Sequence, residues 1–206
     1  MTTVVAASVV LAGCGGGARQ DANEPKGTYN VEVRAASFPV RQSLAQASHL
    51  VIVVKNADTK TIPNVAVTIT DSNLGTKAQA FSELLNMPGL ASASRPVWIV
   101  DRGPSPNGCG YSCRQGGPGG GVTAYSNTWA LGQLKPGASA VFNWRVTAVK
   151  SGLHVVHYQI AAGLNGNAVA QLAGGQKPQG TFVVHITQAP QQSFVNDKGQ
   201  VVTVSR

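Results

Sequence analysis

Apolar and polar residues alternate in short stretches along most of the chain beyond residue 27. In residues 28–35, for example, Val31, Val33 and Ala35 occupy every second position. A period of two residues is that of a β-strand with one buried face. We therefore predict half-buried strands at residues 28–35, 49–55, 62–69, 96–100, 123–129, 141–149, 154–162 and 182–186.

Turn residues separate these stretches, and helix-like sequence is scarce. Gly, Pro, Asn, Asp and Ser residues mark residues 56–60, 134–137 and 151–152, where they favour tight turns. Residues 78–87 are the one helix-like stretch, and Pro88 ends it. Many short strands with turns between them and almost no helix predict an all-β fold, an antiparallel β-sandwich.

Two segments of the predicted strands resemble a known family. Residues 134–158, which begin with the turn Leu134-Lys135-Pro136-Gly137, resemble the turn-and-strand pattern of bacterial immunoglobulin-like domains related to cell-adhesion modules. Residues 53–65 resemble the B-to-C hairpin of those domains. The resemblance implies an immunoglobulin-like (Ig-like) β-sandwich and a role in adhesion, spacing or complex assembly, among which the fold alone does not choose.

We assign the Ig-like β-sandwich to residues 28–189. It departs from a simple module of this kind by a long Gly- and Pro-rich loop at residues 102–122. Residues 190–206 follow as a C-terminal tail, in which the sequence Asp197-Lys198-Gly199 predicts a small hairpin.

The N-terminal residues 1–13 are uncharged and mostly apolar, which fits the central region of an export signal. This stretch is too short to span a bilayer. It ends in Leu11-Ala12-Gly13-Cys14, which resembles the lipobox of bacterial lipoproteins. The resemblance implies cleavage before Cys14 and a diacylglycerol on its sulfur; the alternative is a chance cysteine after a buried N-terminal strand. No Lys or Arg precedes Cys14, and a start codon placed further upstream would restore a basic leader.

Residues 14–27 are interpreted as a lipidated cysteine followed by a flexible tether. Gly15, Gly16 and Gly17 follow Cys14 at once, and Gly-rich segments behave as flexible chains. We therefore expect a bacterial envelope protein on the extracytoplasmic face of the cell membrane, held there through the lipid on Cys14.

The net charge of +8 comes from 16 Lys and Arg residues against only 8 Asp and Glu residues. The basic residues are spaced singly, whereas nucleic-acid binders gather them on one stripe or helix. We therefore predict no specific nucleic-acid partner. A diffuse positive field still favours loose association with anionic surfaces.

The loop at residues 102–122 contains Cys109 and Cys113, four positions apart. In an exported protein this pair is expected to form a local disulfide. Free or redox-active thiols and metal ligation are the alternatives. Zinc requires four ligands, and the loop contains no His and no acidic residue.

Aromatic residues flank this loop and also lie within it. Trp98 precedes it, Tyr111 lies inside it, and Tyr125 and Trp129 follow it. One hypothesis makes these four residues a recognition surface for a glycan or a protein; the alternative places both tryptophans in the core. Trp144 shares a face with apolar neighbours, so we predict that it packs in the core.

Histidines give only weak metal candidates. His154 and His157 are an odd number of positions apart and would point to opposite faces of one strand. His157 and His185 fall on the predicted outward faces of two late strands, where they form an exposed pair or a weak metal or pH-sensitive contact. No cofactor is predicted.

Sequence motifs of catalysis are missing. The chain has no Walker pattern, no G-x-G-x-x-G between a strand and a helix, and no Gly-x-Ser-x-Gly. We therefore predict a non-catalytic, lipid-anchored interaction or adhesion module whose partner is another envelope protein or a glycan. The alternatives are an extracytoplasmic solute- or metal-binding lipoprotein and an envelope enzyme with an unrecognised site.

Overall fold

The computed structural model describes residues 22–72, 80–82, 96–105, 123, 125, 127–190 and 192–204. Within these ranges the protein is all-β and contains no α-helix. The same ranges hold no helix with the length and apolar character needed to cross a membrane. The predicted sites at Cys14, Cys109, Tyr111 and Cys113 lie outside the described residues.

Two sheets form the body of the protein. The first contains the strands β1 (Gly27–Ser37), β3 (Ala47–Asn56), β5 (Phe81–Ser82), β6 (Trp98–Arg102), β8 (Ser139–Ala148) and β10 (Ala168–Gln171). These six strands follow the spatial order β10-β1-β3-β8-β6-β5. The second contains β2 (Arg41–Leu44), β4 (Ala66–Asp71), β7 (Thr128–Ala130), β9 (Gly152–Ala161) and β11 (Gln179–Pro190). These five strands follow the order β2-β11-β9-β4-β7.

Aromatic side chains from both sheets meet in one core. Trp129 of the second sheet contacts Trp144 and Phe81 of the first, with ring centroids 5.5 and 6.1 Å apart. Trp144 is fully buried, as predicted. Because the inward faces of the two sheets enclose these rings, the fold is the predicted Ig-like β-sandwich.

Pairing is antiparallel in the centre of both sheets but parallel at three edges. The parallel pairs are β1 with β10, β11 with β2, and β5 with β6. The strands β10, β2 and β5 are short and lie at sheet edges. The predicted antiparallel sandwich is therefore correct for the long strands and incomplete at the rims, where strands that no hairpin connects lie side by side.

The predicted helix over residues 78–87 is wrong where the structure describes it. Phe81–Ser82 is a short strand that pairs with Trp98 and Ile99. Phe81 is buried, with its ring against Trp98 at 5.8 Å. Burial of this ring in the aromatic core outweighs the weak local preference for helix.

The expected B-to-C hairpin is also corrected. Residues 57–65 connect β3 in one sheet to β4 in the other, so these two strands do not pair. Ser151 likewise lies between β8 and β9, which belong to different sheets. Both connections cross from one sheet of the sandwich to the other. Turn residues do not indicate whether a connection forms a hairpin within one sheet or crosses to the other sheet.

Alternation predicted the inward positions well except after a bulge in β1. Val31 is buried and Val33 is partly buried, but Ala35 is exposed. The register with β3 shifts between Val33 and Ala35, so Arg34 has no partner in the ladder. An extra residue in one strand bends it and changes which side chains face the core.

The folded part begins before the predicted boundary at residue 28. Glu24 is buried and accepts hydrogen bonds from the backbone amides of Leu164, Asn165 and Ala168 at 2.6–2.7 Å. Leu164 and Asn165 lie in the connection between β9 and β10, and Ala168 is the first residue of β10. The end of the predicted tether is thus fixed to the sandwich at Glu24.

The C-terminal tail contains the hairpin that Asp197-Lys198-Gly199 predicts. Its strands are β12 (Gln192–Val195) and β13 (Val201–Val204), which pair only with each other in the described chain. Gly199 has a φ of 72°, a conformation that glycine adopts without strain.

Candidate binding groove

The outer face of the second sheet carries two rows of polar side chains. β4, β9 and β11 lie side by side, and their registers align Thr68 with Gln159 and Gln179. Two positions along the strands, the same registers align Thr70, His157 and Thr181. Residues opposite each other in paired strands share one face of the sheet, so these six side chains form two parallel rows.

These rows line a groove of about 320 Å³. A volume of this size is at the lower end for small-molecule sites. The side chains that line it carry hydroxyl, amide and imidazole groups and no formal charge: Thr68, Thr70, His157, Gln159, Gln179 and Thr181. Tyr158 and Gly180 also border the groove, but the Tyr158 ring lies on the buried inner face of the sheet. We refer to this feature as the polar groove.

Part of the polar groove is held in place by hydrogen bonds. His157 Nδ1 lies 2.9 Å from Thr181 Oγ1, and Thr68 Oγ1 lies 2.9 Å from Thr128 Oγ1. The side chains of Gln159 and Gln179 make no hydrogen bond to the described residues. Both amides are exposed to solvent, so they can donate to and accept from a ligand.

The sheet beneath the polar groove is shaped by a close approach of Tyr158 to Gly180. A Cβ atom added to Gly180 would lie 2.5 Å from the Tyr158 ring, so only glycine fits there. The ring also contacts Phe182, with centroids 5.6 Å apart. Burial raises the pKa of the Tyr158 phenol.

An apolar patch continues the same outer face beyond the polar groove. Val183 pairs with Val155, and Leu153 pairs with His185. The side chains of Leu153 and Val183 are 58% and 52% exposed. Polar and apolar contact surfaces thus lie next to each other on one sheet face.

The structure places His157 and His185 on this face but does not bring them together. β9 and β11 are neighbours, as the prediction supposed, yet His157 lies opposite Thr181 and His185 lies opposite Leu153. Four residues along a strand correspond to about 13 Å. In the described part of the chain, no group of three or more His, Cys, Asp or Glu residues could hold a metal ion.

The proposed aromatic recognition surface is corrected at its two tryptophans. Trp98 is 0% exposed and Trp129 is 3% exposed, so neither can meet a ligand. Trp98 Nε1 donates a hydrogen bond to Gln42 Oε1 at 2.8 Å. Their large apolar rings fill the space between the sheets, which is the alternative the sequence had left open.

Tyr125 is the described member of that set with an accessible side chain. It is partly exposed, and its hydroxyl donates to Asn165 Oδ1 at 2.9 Å. Asn165 belongs to the connection that also binds Glu24. Tyr125 therefore lies by the N-terminal attachment and is not part of the polar groove.

One buried polar pair escaped the sequence interpretation. His154 Nδ1 lies 3.0 Å from Asp71 Oδ2, and both side chains are almost fully buried. The His154 ring contacts Trp98, with centroids 5.6 Å apart. His154 lies two positions from the inward-facing Val156, and Asp71 lies two positions from the inward-facing Ile69. The alternation of each strand is therefore the sequence signal that indicates burial of both side chains.

Comparisons with known proteins add modest likenesses. No protein-family model matches the chain, and no curated protein matches it. Among solved structures it is similar to the CARDB (cell adhesion related) domain of a Pyrococcus furiosus protein in complex with di-metal ions. That similarity has 14% identity and a TM-score of 0.41, over 78% of this chain and 93% of that one.

Two further solved structures are similar over comparable parts of this chain. Native α2-macroglobulin from Escherichia coli, from domain MG7 to the C-terminus, has 12% identity and a TM-score of 0.40, with 84% of this chain and 21% of that one covered. A β-glucosidase from Listeria innocua has 13% identity and a TM-score of 0.37, with 79% and 16% covered.

Proposed function

We propose that the protein is a non-catalytic interaction module of the bacterial envelope, anchored by a lipid on Cys14, which contacts another envelope component through the polar groove. The observation that carries the proposal is the groove itself. Its exposed amides and hydroxyls lie on β11, β9 and β4, the three central strands of the second sheet. Binding groups held on strands keep their geometry better than groups on loops.

Lipid anchoring is supported by the order of features along the N-terminus. An apolar run leads to Leu11-Ala12-Gly13-Cys14, and the fixed part of the sandwich begins at Glu24. Nine residues lie between Cys14 and Glu24, and the ten steps from one Cα atom to the other span at most on the order of 35 Å when fully extended. An anchored Cys14 therefore keeps the sandwich near the membrane surface while leaving its faces accessible.

The polar groove is better suited to binding than to acyl transfer. The contact between His157 Nδ1 and Thr181 Oγ1 brings a hydroxyl and an imidazole together. Nucleophilic catalysis also needs a third group that orients the imidazole through its other nitrogen. Nε2 of His157 has no such partner among the described residues, and the remaining lining groups are neutral hydrogen-bonding groups.

The proposal is tested by photocrosslinking in the cells that produce the protein. A photocrosslinking amino acid replaces Thr70 in the polar groove, and a matched variant carries it at Ser139, exposed on the other sheet. We expect adducts with an envelope component from position 70 and none from position 139. Equal adducts at both positions, or none at either, would contradict a role for the groove in binding.

Lipid anchoring is tested separately in the same cells, by palmitate labelling and membrane fractionation. Labelled palmitate should enter the wild-type protein, and Cys14→Ala should abolish the label and release the protein from the membrane fraction, because several buried acyl chains supply stable attachment. A wild type as unlabelled as Cys14→Ala would disprove the lipid anchor and leave the groove result standing.

A further inference from the structure

The polar groove contrasts with the charge of the whole protein. The chain has a net charge of +8, yet no Lys, Arg, Asp or Glu side chain lines the groove. A site for an anionic polymer draws its affinity from nearby cations. The lining of this groove instead favours a neutral ligand that is recognised by hydrogen bonds.

The hydrogen-bonding groups of the groove both donate and accept. The hydroxyl of Thr70 and the side-chain amides of Gln159 and Gln179 each combine the two roles, and the imidazole of His157 adds Nε2. A ligand that matches such a surface carries groups with the same double capacity. Sugar hydroxyls have this capacity, because each can donate one hydrogen bond and accept others.

The position of the groove disfavours an extended peptide. Peptides that bind sheets add to an exposed edge, where unpaired backbone groups are available. β9 is paired on both sides, with β4 and with β11, so its backbone groups are used within the sheet. Recognition here must come from side chains that project from the face of the sheet.

The adjoining apolar patch fits the same type of ligand. Leu153 and Val183 continue the outer face beyond His157, and both are exposed. A sugar ring has hydroxyls at its rim and C–H groups on its faces, so one chain can meet amides in the groove and aliphatic side chains beside it. Burial of the aliphatic surface adds affinity.

From these observations we infer that the polar groove binds a neutral, hydroxyl-rich glycan segment, with the rows of Thr70, His157, Gln159 and Gln179 making the hydrogen bonds. This inference rests on the proposed function, since it names the ligand class of the same groove. Gln159 and Gln179 are binding residues in this assignment, and Leu153 and Val183 supply the apolar contact.

The test is a titration of the full chain carrying Cys14→Ala, followed by two-dimensional NMR. The probes are two neutral oligosaccharides, chitotetraose and maltotetraose, and one anionic probe, a heparin tetrasaccharide. We expect saturable shifts at Gln159, Gln179 and Thr181 with at least one neutral probe. The Gln159→Ala and Thr70→Val variants should each weaken that binding about 2- to 10-fold, as expected for a lost neutral hydrogen bond.

Ser139→Ala is the matched control, because Ser139 is an exposed polar residue on the other sheet. It should bind as tightly as the parent. The inference is overturned if neither neutral probe binds, if the shifts map away from the groove, or if only the heparin fragment binds. If crosslinking from position 70 captures a protein while both neutral probes fail, the glycan assignment is wrong and the interaction module stands.

Discussion

At the scale of single residues, the hydrogen bond between His154 and Asp71 is notable because it buries two polar side chains in the core. The two atoms, Nδ1 and Oδ2, are 3.0 Å apart, and the exposed fractions of the side chains are 5% and 0%. His154 Nε2 is buried without a hydrogen-bond partner among the described residues. The imidazole is therefore accommodated in the core chiefly through its bond to Asp71 and its contact with Trp98.

Removal of the carboxylate should destabilise the fold strongly. The Asp71→Ala variant leaves the buried imidazole of His154 without its hydrogen-bond partner, and an unsatisfied buried polar group costs about 1–3 kcal/mol. Chemical denaturation measured by tryptophan fluorescence would give the free energy of unfolding. Asp101→Ala is the control, since Asp101 is exposed and its contacts, with Arg145 and with the Thr147 hydroxyl, lie at the surface, where such interactions contribute about 0–1 kcal/mol. Equal losses for both variants would refute the role given to the buried pair.

At the scale of elements, the turn after β3 shows how side chains connect neighbouring segments. Asn56 is fully buried, and its Nδ2 donates to the carbonyls of Lys60 and Leu134 at 2.9 and 2.8 Å. The backbone amide of Asn30 in β1 donates to Asp58 Oδ2 at 3.0 Å. This turn thus links β1, β3 and the segment before β8, which pattern alone could not show.

The carboxyl group of Asp58 in this turn should make the stability of the fold depend on pH in the acid range. The hydrogen bond from the Asn30 amide, aided by those from Lys60 and Thr59, lowers the pKa of Asp58. A carboxyl whose pKa is lower in the folded state contributes stability above its unfolded value, about 4, and loses it as the pH falls through the folded value. Thermal melts from pH 7 to pH 2 should show a smaller loss below pH 4 for Asp58→Asn than for the wild type. If the melting temperatures of the two proteins fall equally below pH 4, Asp58 does not contribute in this way.

At the scale of the whole molecule, Glu24 connects the predicted tether to the far part of the chain. Its carboxylate is bound by amides of Leu164, Asn165 and Ala168, about 140 residues away in sequence. Next to it, Gly163 leaves no room for a Cβ. If Cys14 is lipidated as proposed, a force on the anchor would be transmitted to the sandwich at Glu24.

Loss of that carboxylate should loosen the N-terminal attachment. Glu24→Ala leaves buried amides without acceptors, and hydrogen bonds to a charged group contribute about 1.5–3 kcal/mol each without being additive. We expect a drop in the free energy of unfolding of about 3 kcal/mol and faster proteolysis before β1. Glu32→Ala removes an exposed carboxylate paired with Arg34 and should change stability by less than about 1 kcal/mol. A Glu24→Ala protein as stable as Glu32→Ala would contradict the attachment.

Much of the fold could be predicted from period-two alternation, and part of it could not. The strands predicted over residues 49–55 and 141–149 are confirmed, and within them Val54 and Val146 are buried because a strand that covers a core must alternate. The short edge strands β2 and β10 were missed, since Gln42 and Ala170 give little β signal and are held by tertiary pairing. The bulge at Arg34 was missed for the same reason, because it depends on the partner strand.

The polar groove, like the fold, combines features that sequence patterns predict with features that depend on tertiary contacts. Local composition and spacing are enough to predict the β-class of the domain and the outward position of His157. The position of β9 between β4 and β11 follows from tertiary packing, and it aligns Thr and Gln residues from separate parts of the chain in two rows. Tertiary packing also decided that Trp98 and Trp129 are core residues, because burial depends on which sheets face each other. Strand order and sheet packing arise from contacts distant in sequence, and period and composition do not encode them.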